Sequence, residues 1–218
     1  MRFTRLIAGL TTAGLLGLAP VAISSPAGAT ENLTTTSTVE TFSTLPVTVG
    51  DEITLSSKVT GSDGLSALYG SVSLQVYTPS NPVWTTIATD EGGYASFQVK
   101  PQTNTAYKIV YSGYAAANQY QDNYAPSESV PLQVGVKRKA VFKTPGLFLV
   151  GKIKPDFKRK KVILKRKKGK KFVAWKKVRT NRKGVFRVKA PNQPGFKFSV
   201  TIPSDKKYTG FTDFYQVY

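Results

Sequence analysis

Apolar and polar residues alternate along most of the chain. Phe196, Phe198, Val200 and Ile202 fall on one side while Lys197, Ser199 and Thr201 fall on the other, and Tyr107, Ile109 and Tyr111 stand in the same way against Lys108 and Val110. Successive side chains of an extended backbone point to opposite faces, so this period of two predicts half-buried strands. Turn-forming residues punctuate the pattern at Gly61 to Gly64, Pro79 to Pro82, Glu91 to Gly93, Lys167 to Lys171, Asn181 to Gly184 and Asn192 to Gly195. Apolar residues at helical spacing are missing beyond the N-terminal segment. The pattern predicts an all-β protein.

The pattern occurs twice. Val72 to Pro101 (VSLQVYTPSNPVWTTIATDEGGYASFQVKP) and Val162 to Pro191 (VILKRKKGKKFVAWKKVRTNRKGVFRVKAP) both run strand, polar turn, Trp, a hydrophobe three positions later, and Gly nine positions after the Trp. Trp84 and Trp175 are 91 residues apart. Downstream, AYKIVYSG (from Ala106) pairs with GFKFSVTI (from Gly195), and YAPSESVPLQV (from Tyr124) with YTGFTDFYQV (from Tyr208). A unit of about ninety residues with about seven short strands suits an immunoglobulin-like sandwich, two sheets packed by their apolar faces. The positions Val72, Leu74, Trp84, Ile87, Gly93 and Tyr107, repeated as Val162, Leu164, Trp175, Val178, Gly184 and Phe196, give the chain a pattern that resembles the tandem bacterial Ig-like β-sandwich repeats of exported proteins. That resemblance implies spacers, stalks or binding modules, and it implies no enzymatic role.

Each repeat is expected to build its core around its Trp: Val72, Leu74, Trp84, Ile87 and Phe97 in one, Val162, Leu164, Trp175, Val178 and Phe198 in the other. The interval of three between Trp and Ile87 or Val178 breaks strict alternation, and a β-bulge just after each Trp is expected to return both residues to the core. The cysteine pair of antibody domains is absent, since the chain contains no Cys.

The N-terminus reads MRFTRLIAGLTTAGLLGLAPVAISSPAGA, two Arg ahead of an apolar run and then small residues, the layout of a secretory signal peptide. The run from Leu6 to Ala19 would span roughly 21 Å as a helix, short of the hydrocarbon thickness of about 30 Å. The expected organisation is two tandem Ig-like domains after a signal peptide: signal peptide 1–29, a Thr/Ser-rich tether or first strand 30–45, an acidic domain 46–135 and a strongly basic domain 136–218. The expected location is extracellular, with non-covalent attachment to the cell wall as a variant and no transmembrane segment.

Charge separates the halves. Thr30 to Val136 carries three basic and nine acidic residues, a net of −6, whereas Lys137 to Tyr218 carries twenty-six basic and three acidic residues, a net of +23. Most of the excess lies in KRKKVILKRKKGKKFVAWKKVRTNRKG, Lys158 to Gly184, which has fifteen Lys or Arg and no acid. Val162 and Leu164 point inward, so Lys165 and Lys167 point outward with Ile163, and Gly169 serves the turn of a hairpin. The candidate polyanion-binding residues are Lys158, Arg159, Lys160, Lys161, Lys165, Lys167, Lys168, Lys170, Lys171 and Lys176. Lysines on strands also protect edges and confer solubility, but the matching stretch of the first repeat, VSLQVYTPSNPVW, has no basic residue, so the fold does not require them. Like charges this dense also repel one another in a compact state. Lys outnumbers Arg, which favours point-charge contacts over bidentate reading. Phe172 is the one aromatic expected to be exposed on the hairpin.

The candidate partners are wall phosphate polymer, an anionic surface or extracellular nucleic acid, with the acidic half of the chain itself as a further contact. The alternative is a scaffold or protein-interaction module whose lysines serve only solubility. With no His and no Cys, the usual general base, imidazole ligands and thiol nucleophile are lacking. Asp51–Glu52 and Asp90–Glu91 read as surface turns without a calcium-loop spacing. No enzyme activity, cofactor, metal site or small-molecule substrate is expected.

Overall fold

The computed structural model describes residues 30–218; residues 1–29, read above as a signal peptide, lie outside the described residues. Every regular element of the described residues is a strand. The first half comprises β1 (Asn32–Leu33), β2 (Thr35–Glu40), β3 (Val47–Thr48), β4 (Ile53–Gly61), β5 (Ser71–Thr78), β6 (Asn81–Glu91), β7 (Tyr94–Val99), β8 (Thr105–Tyr111), β9 (Asn123–Tyr124), β10 (Ser127–Glu128), β11 (Leu132–Val134) and β12 (Val136–Lys137). The second comprises β13 (Lys139–Lys143), β14 (Phe148–Lys154), β15 (Lys161–Lys168), β16 (Lys171–Arg179), β17 (Val185–Lys189), β18 (Lys197–Ile202) and β19 (Phe211–Gln216).

In the first half β2-β4-β7 form one sheet, and β6-β5-β8 form the other with β10 and β11 both on the free edge of β8. In the second half β13-β14-β17 face β16-β15-β18-β19. Both halves therefore place their first, second and fifth long strands in one sheet and the remainder in the other, an immunoglobulin-like sandwich. The reason is visible in β4, whose residues alternate between buried and exposed along its whole length, so only one face of its sheet needs covering. Leu55, Val59, Val72, Leu74 and Ile109 close the first core, and Leu149, Ile153, Leu164, Val200 and Ile202 the second. The Thr/Ser-rich segment is strand: Thr35 to Glu40 pairs with β4, and the Thr35 hydroxyl donates to Ala125 O and Ser127 Oγ, both at 2.7 Å.

The two tryptophans do not occupy equivalent places, which corrects the expected cores. Val72 and Leu74, fully buried, fix the register of β5 against β6, and Leu74 lies opposite Ala88 while Gln75 lies opposite Thr86. The extra residue is thus Ile87 itself, not a position just after Trp84. Ile87 is 49% exposed, Ala88 packs on the core in its stead, and Trp84 lies beside Tyr77 (ring centroids 5.6 Å) with Lys108 Nζ 5.1 Å from its ring. In the second hairpin Leu164 faces Lys176 and Lys165 faces Ala174, so the bulged residue is Trp175. It leans on Phe196 and Phe198 at 5.1 and 5.5 Å, and Val178 packs half-buried on the same core. By register Trp84 corresponds to Phe172, since Val76 faces Thr85 and Arg166 faces Val173.

Backbone hydrogen bonds join the halves. Thr209 N–H donates to Val136 O and Asn104 N–H to Lys207 O, both at 2.8 Å, while Val47 N–H to Gly135 O (3.0 Å) and Val49 N–H to Lys137 O (2.9 Å) tie β12 to β3 within the first half, so β12 is held from both sides. Tyr208, from the second half, is buried in the first core. Asn104 Oδ1 accepts from Val136 N–H at 2.9 Å and from the Thr209 hydroxyl at 3.0 Å. The expected acidic-to-basic contact is not what joins them: all four ion pairs among the described residues lie within one half or the other. The hydrogen bonds that cross the junction come from main chain and neutral side chains, with the Arg138–Asp205 pair of the second half beside them on Tyr208.

Candidate functional site

The β15–β16 hairpin organises the basic residues. Its inner positions Val162 and Leu164 are fully buried, and a one-residue slip would turn both out, so the register is firmly set. The strands reverse between Lys168 and Lys171 through Gly169, whose φ of +59° suits glycine. On the outer face β15 presents Lys161, Ile163, Lys165 and Lys167. Their partners on β16 are Arg179, Lys177, Ala174 and Phe172 in that order. The bulge at Trp175 inverts the alternation of β16, which is why Lys177 and Arg179 join this face although strict alternation from Phe172 would have turned them in. β18 adds Lys197, Ser199 and Thr201, and β19 adds Thr212, Phe214 and Gln216. Six cations thus share one sheet face that carries no carboxylate.

The ten residues expected from the sequence divide among four places. Lys161, Lys165 and Lys167 are on this face, and Lys168, Lys170 and Lys171 surround the turn at its far end. Lys158, Arg159 and Lys160 lie in the loop before β15, about 23 Å from the turn by the rise of the intervening strand. Lys176 faces the other side, donating to Lys189 O at 3.4 Å with its Nζ 4.8 Å from the Trp175 ring. Lys177, Arg179, Lys197 and Phe214 belong to the face and were not among the expected residues. Pairing across the sheet brings them in, and the sequence signal for Lys177 and Arg179 is legible only once the bulge is located.

The loop end holds an ion-paired cluster. Asp205 receives Arg138 Nη2 at 2.6 Å and Lys160 Nζ at 2.8 Å. Arg138 is 1% exposed at its side chain and also donates from Nε to Pro155 O at 2.9 Å. Its guanidinium lies 4.1 Å from the Tyr208 ring and 5.0 Å from Phe157, and its Nη1 is buried without a hydrogen-bond partner. Burial alone would push the Asp205 carboxyl up, but the hydrogen bonds from Lys160 and Arg138 and the charge of Arg138 outweigh it and hold the group at about 2. Asp156 lines the same shallow groove, and Asp213 lies opposite the inward-facing Val200. The three acids of the basic half are therefore all off the cationic face.

Aromatic rings interrupt that face. Phe172 and Phe214 meet edge to face at 5.2 Å between centroids, reaching toward each other over β15 and β18. Ser199, the residue opposite Phe214, is only 2% exposed although it points outward, while Phe214 is 67% exposed. The acidic pairs of the first half have local roles: Asp51 Oδ2 accepts from Thr48 N–H at 3.1 Å, Glu52 pairs with Lys100 at 3.1 Å, and Asp90 Oδ1 accepts from Glu91 N–H at 2.9 Å. One surface groove of about 680 Å³ is bordered by Phe148, Phe214 and Tyr218, and another of about 470 Å³ by Tyr77, Trp84 and Gln133. Among the described residues no helix is long and apolar enough to cross a membrane.

No protein-family model and no curated protein sequence matches the chain. Solved structures of similar shape include the human OSCAR ligand-binding domain, at 12% identity and a TM-score of 0.34 over 86% of this chain and 100% of that one. The FN1–FN3 domains of chicken CNTN1 align at 14% identity and a TM-score of 0.31 over 84% of this chain and 65% of that one. Red sea bream transglutaminase aligns at 11% identity and a TM-score of 0.37 over 86% of this chain and 31% of that one.

Proposed function

We propose that the chain is an exported, non-enzymatic binding module of the kind that tandem bacterial Ig-like repeats provide, and that its basic half holds polyanions on the outer face of the β16-β15-β18-β19 sheet. The observation that carries this reading is the sorting of charge: Lys161, Lys165, Lys167, Lys177, Arg179 and Lys197 share a face with no carboxylate, in a half with a net charge of +23. Self-repulsion on that face is relieved when a polymer brings counter-charge. Lys160, in the loop before β15, is less available because it is already paired with Asp205. The absence of His and Cys from the sequence and a groove bordered by aromatic rings with no Asp or Glu in its lining support a binding role over catalysis.

Binding through six cations is expected to weaken steeply with salt, with a log–log slope of about −4 to −5 on a charged polymer. Replacing Lys165, Lys167 and Lys177 by Gln should reduce that slope by about 2 to 3 and leave thermal unfolding unchanged. The same change at Lys168, Lys170 and Lys171 should have a smaller effect. A salt series on polyphosphate with the two triple variants checks this, and a slope that neither variant alters sinks the reading. A second reading, a protein-contact scaffold, is favoured by one feature of the first half: Trp84 and Tyr77 border an open groove outside the core. Its signature is a partner retained at high salt and lost on Trp84→Ala.

A further inference from the structure

We infer that the polyanion suited to this face is a single-stranded nucleic acid bound without sequence preference; the inference rests on the polyanion reading above and adds the chemical class of the ligand. A polymer of phosphates alone is neutralised by lysines alone. This face has a second component, the Phe172–Phe214 pair set among the cations, with centroids 5.2 Å apart and Phe214 67% exposed. Phe214 seals neither core, since its neighbours Asp213 and Tyr215 are the residues of β19 that turn toward the sandwich interior. Its partner ring fixes it in place, and the outward-pointing Ser199 beside it is nearly excluded from water.

A held aromatic ring on a face that also carries Lys197 on the adjacent strand β18 and Lys165 and Lys167 on β15, the strand beside Phe172, matches the two needs of a single strand: a surface on which a base can stack, and cations for the phosphates that connect it to the next. Bases of any identity have the required π-face, which fits a lysine-rich face with a single side-chain amide, Gln216. An acidic polysaccharide fits less well. Its many hydroxyls require acceptors as well as donors, whereas Lys165, Lys167 and Lys197 only donate, the hydroxyls of Thr201 and Thr212 bond each other at 2.9 Å, and Gln216 is the one side-chain amide on the face. A duplex fits less well too, because its bases are already stacked and the face of a four-stranded sheet does not enter its grooves as a helix or two-stranded ribbon does.

The test uses the full chain and four probes: oligo(dT) of about sixteen residues, the corresponding duplex, heparin and inorganic polyphosphate, each titrated in low and moderate salt. Phe214→Ala and Phe214→Leu should weaken oligo(dT) roughly 5- to 100-fold, the range for loss of a stacking ring, with polyphosphate and duplex affinity changed less than about twofold. Phe214→Trp should restore it. The Leu variant keeps an apolar cover over Ser199, so its loss reports the ring and not the fold, and thermal unfolding of each variant confirms that it is folded. If all three Phe214 variants bind oligo(dT) alike while Lys165→Gln with Lys167→Gln weakens every probe, the nucleic-acid inference is overturned and the polyanion reading stands. Equal losses on heparin and oligo(dT), with none on polyphosphate, would assign the ring to sugars and also overturn it. Salt-insensitive or absent binding of all four probes removes both.

Discussion

At the scale of single residues, Arg138 and Asp205 set the chemistry of the junction end. Arg138 is buried between the Phe157 and Tyr208 rings and depends on Asp205 for a charged partner. Removing that partner strands a cation in a dry site, which costs more than replacing the cation by an apolar side chain of similar length. Asp205→Asn should therefore destabilise by about 2 kcal/mol, short of the ~3–5 kcal/mol of a fully buried pair because Asp205 is partly exposed. Arg138→Met should cost less, and urea unfolding of the two variants checks the order. The pH dependence has a definite sign. Asp205 titrates at about 2 in the folded chain against an ordinary 3.8, so it binds fewer protons folded than unfolded over that interval. Its contribution is complete above about pH 4 and is lost as pH falls toward 2. Thermal unfolding of the natural chain and of Asp205→Asn should accordingly differ at neutral pH and converge near pH 2.

At the scale of elements, the bulge decides what each hairpin shows to solvent. Alternation in β15 and β18 was legible in the sequence because each is an uninterrupted run with one side fully buried: Val162 and Leu164, then Phe198, Val200 and Ile202. The phase of β6 and β16 was not, since it depends on which residue is left unpaired, and that is fixed by the partner strand and not by the local pattern. A shared Trp at a spacing of 91 residues suggested equivalence, yet the bulges fall at Ile87 and Trp175, so Trp84 faces out and Trp175 packs on Phe196 and Phe198. Part of the site was hidden for the same reason: Lys177 and Arg179 reach the outer face only through the inversion at Trp175, and Phe214 arrives from a strand far along the chain. The two Trp→Ala variants separate these environments. Trp175→Ala should destabilise by about 2–3 kcal/mol, below the full cost of a buried ring because Trp175 is only partly buried. Trp84→Ala should stay within about 1 kcal/mol, as for a side chain outside the core. Equal losses in equilibrium denaturation would contradict the register described above.

At the scale of the whole molecule, two sandwiches of opposite net charge are coupled by neutral hydrogen bonds, which makes their union insensitive to the salt that governs the cationic face. β12 is paired with β3 on one side and bridged to Thr209 on the other, and Asn104 receives both Val136 N–H and the Thr209 hydroxyl. These bonds cross between segments far apart in sequence, so composition alone could show the division into halves but not how the halves are held. Asn104→Ala removes the shared acceptor and leaves the Val136 amide buried without a partner, a defect of about 1–3 kcal/mol placed at the joint and not in either core. The expected result is local opening of Gly135 to Lys139 with both sandwiches intact. Trypsin reads that opening directly, because Lys137 and Arg138 are consecutive, the first partly buried in β12 and the second buried. Limited digestion of the variant should release an acidic and a basic fragment separable by cation exchange, at a rate that does not change between low and moderate salt. If charge attraction held the halves together, the natural chain itself would be cut faster as salt rises, and the Asn104 variant would add little.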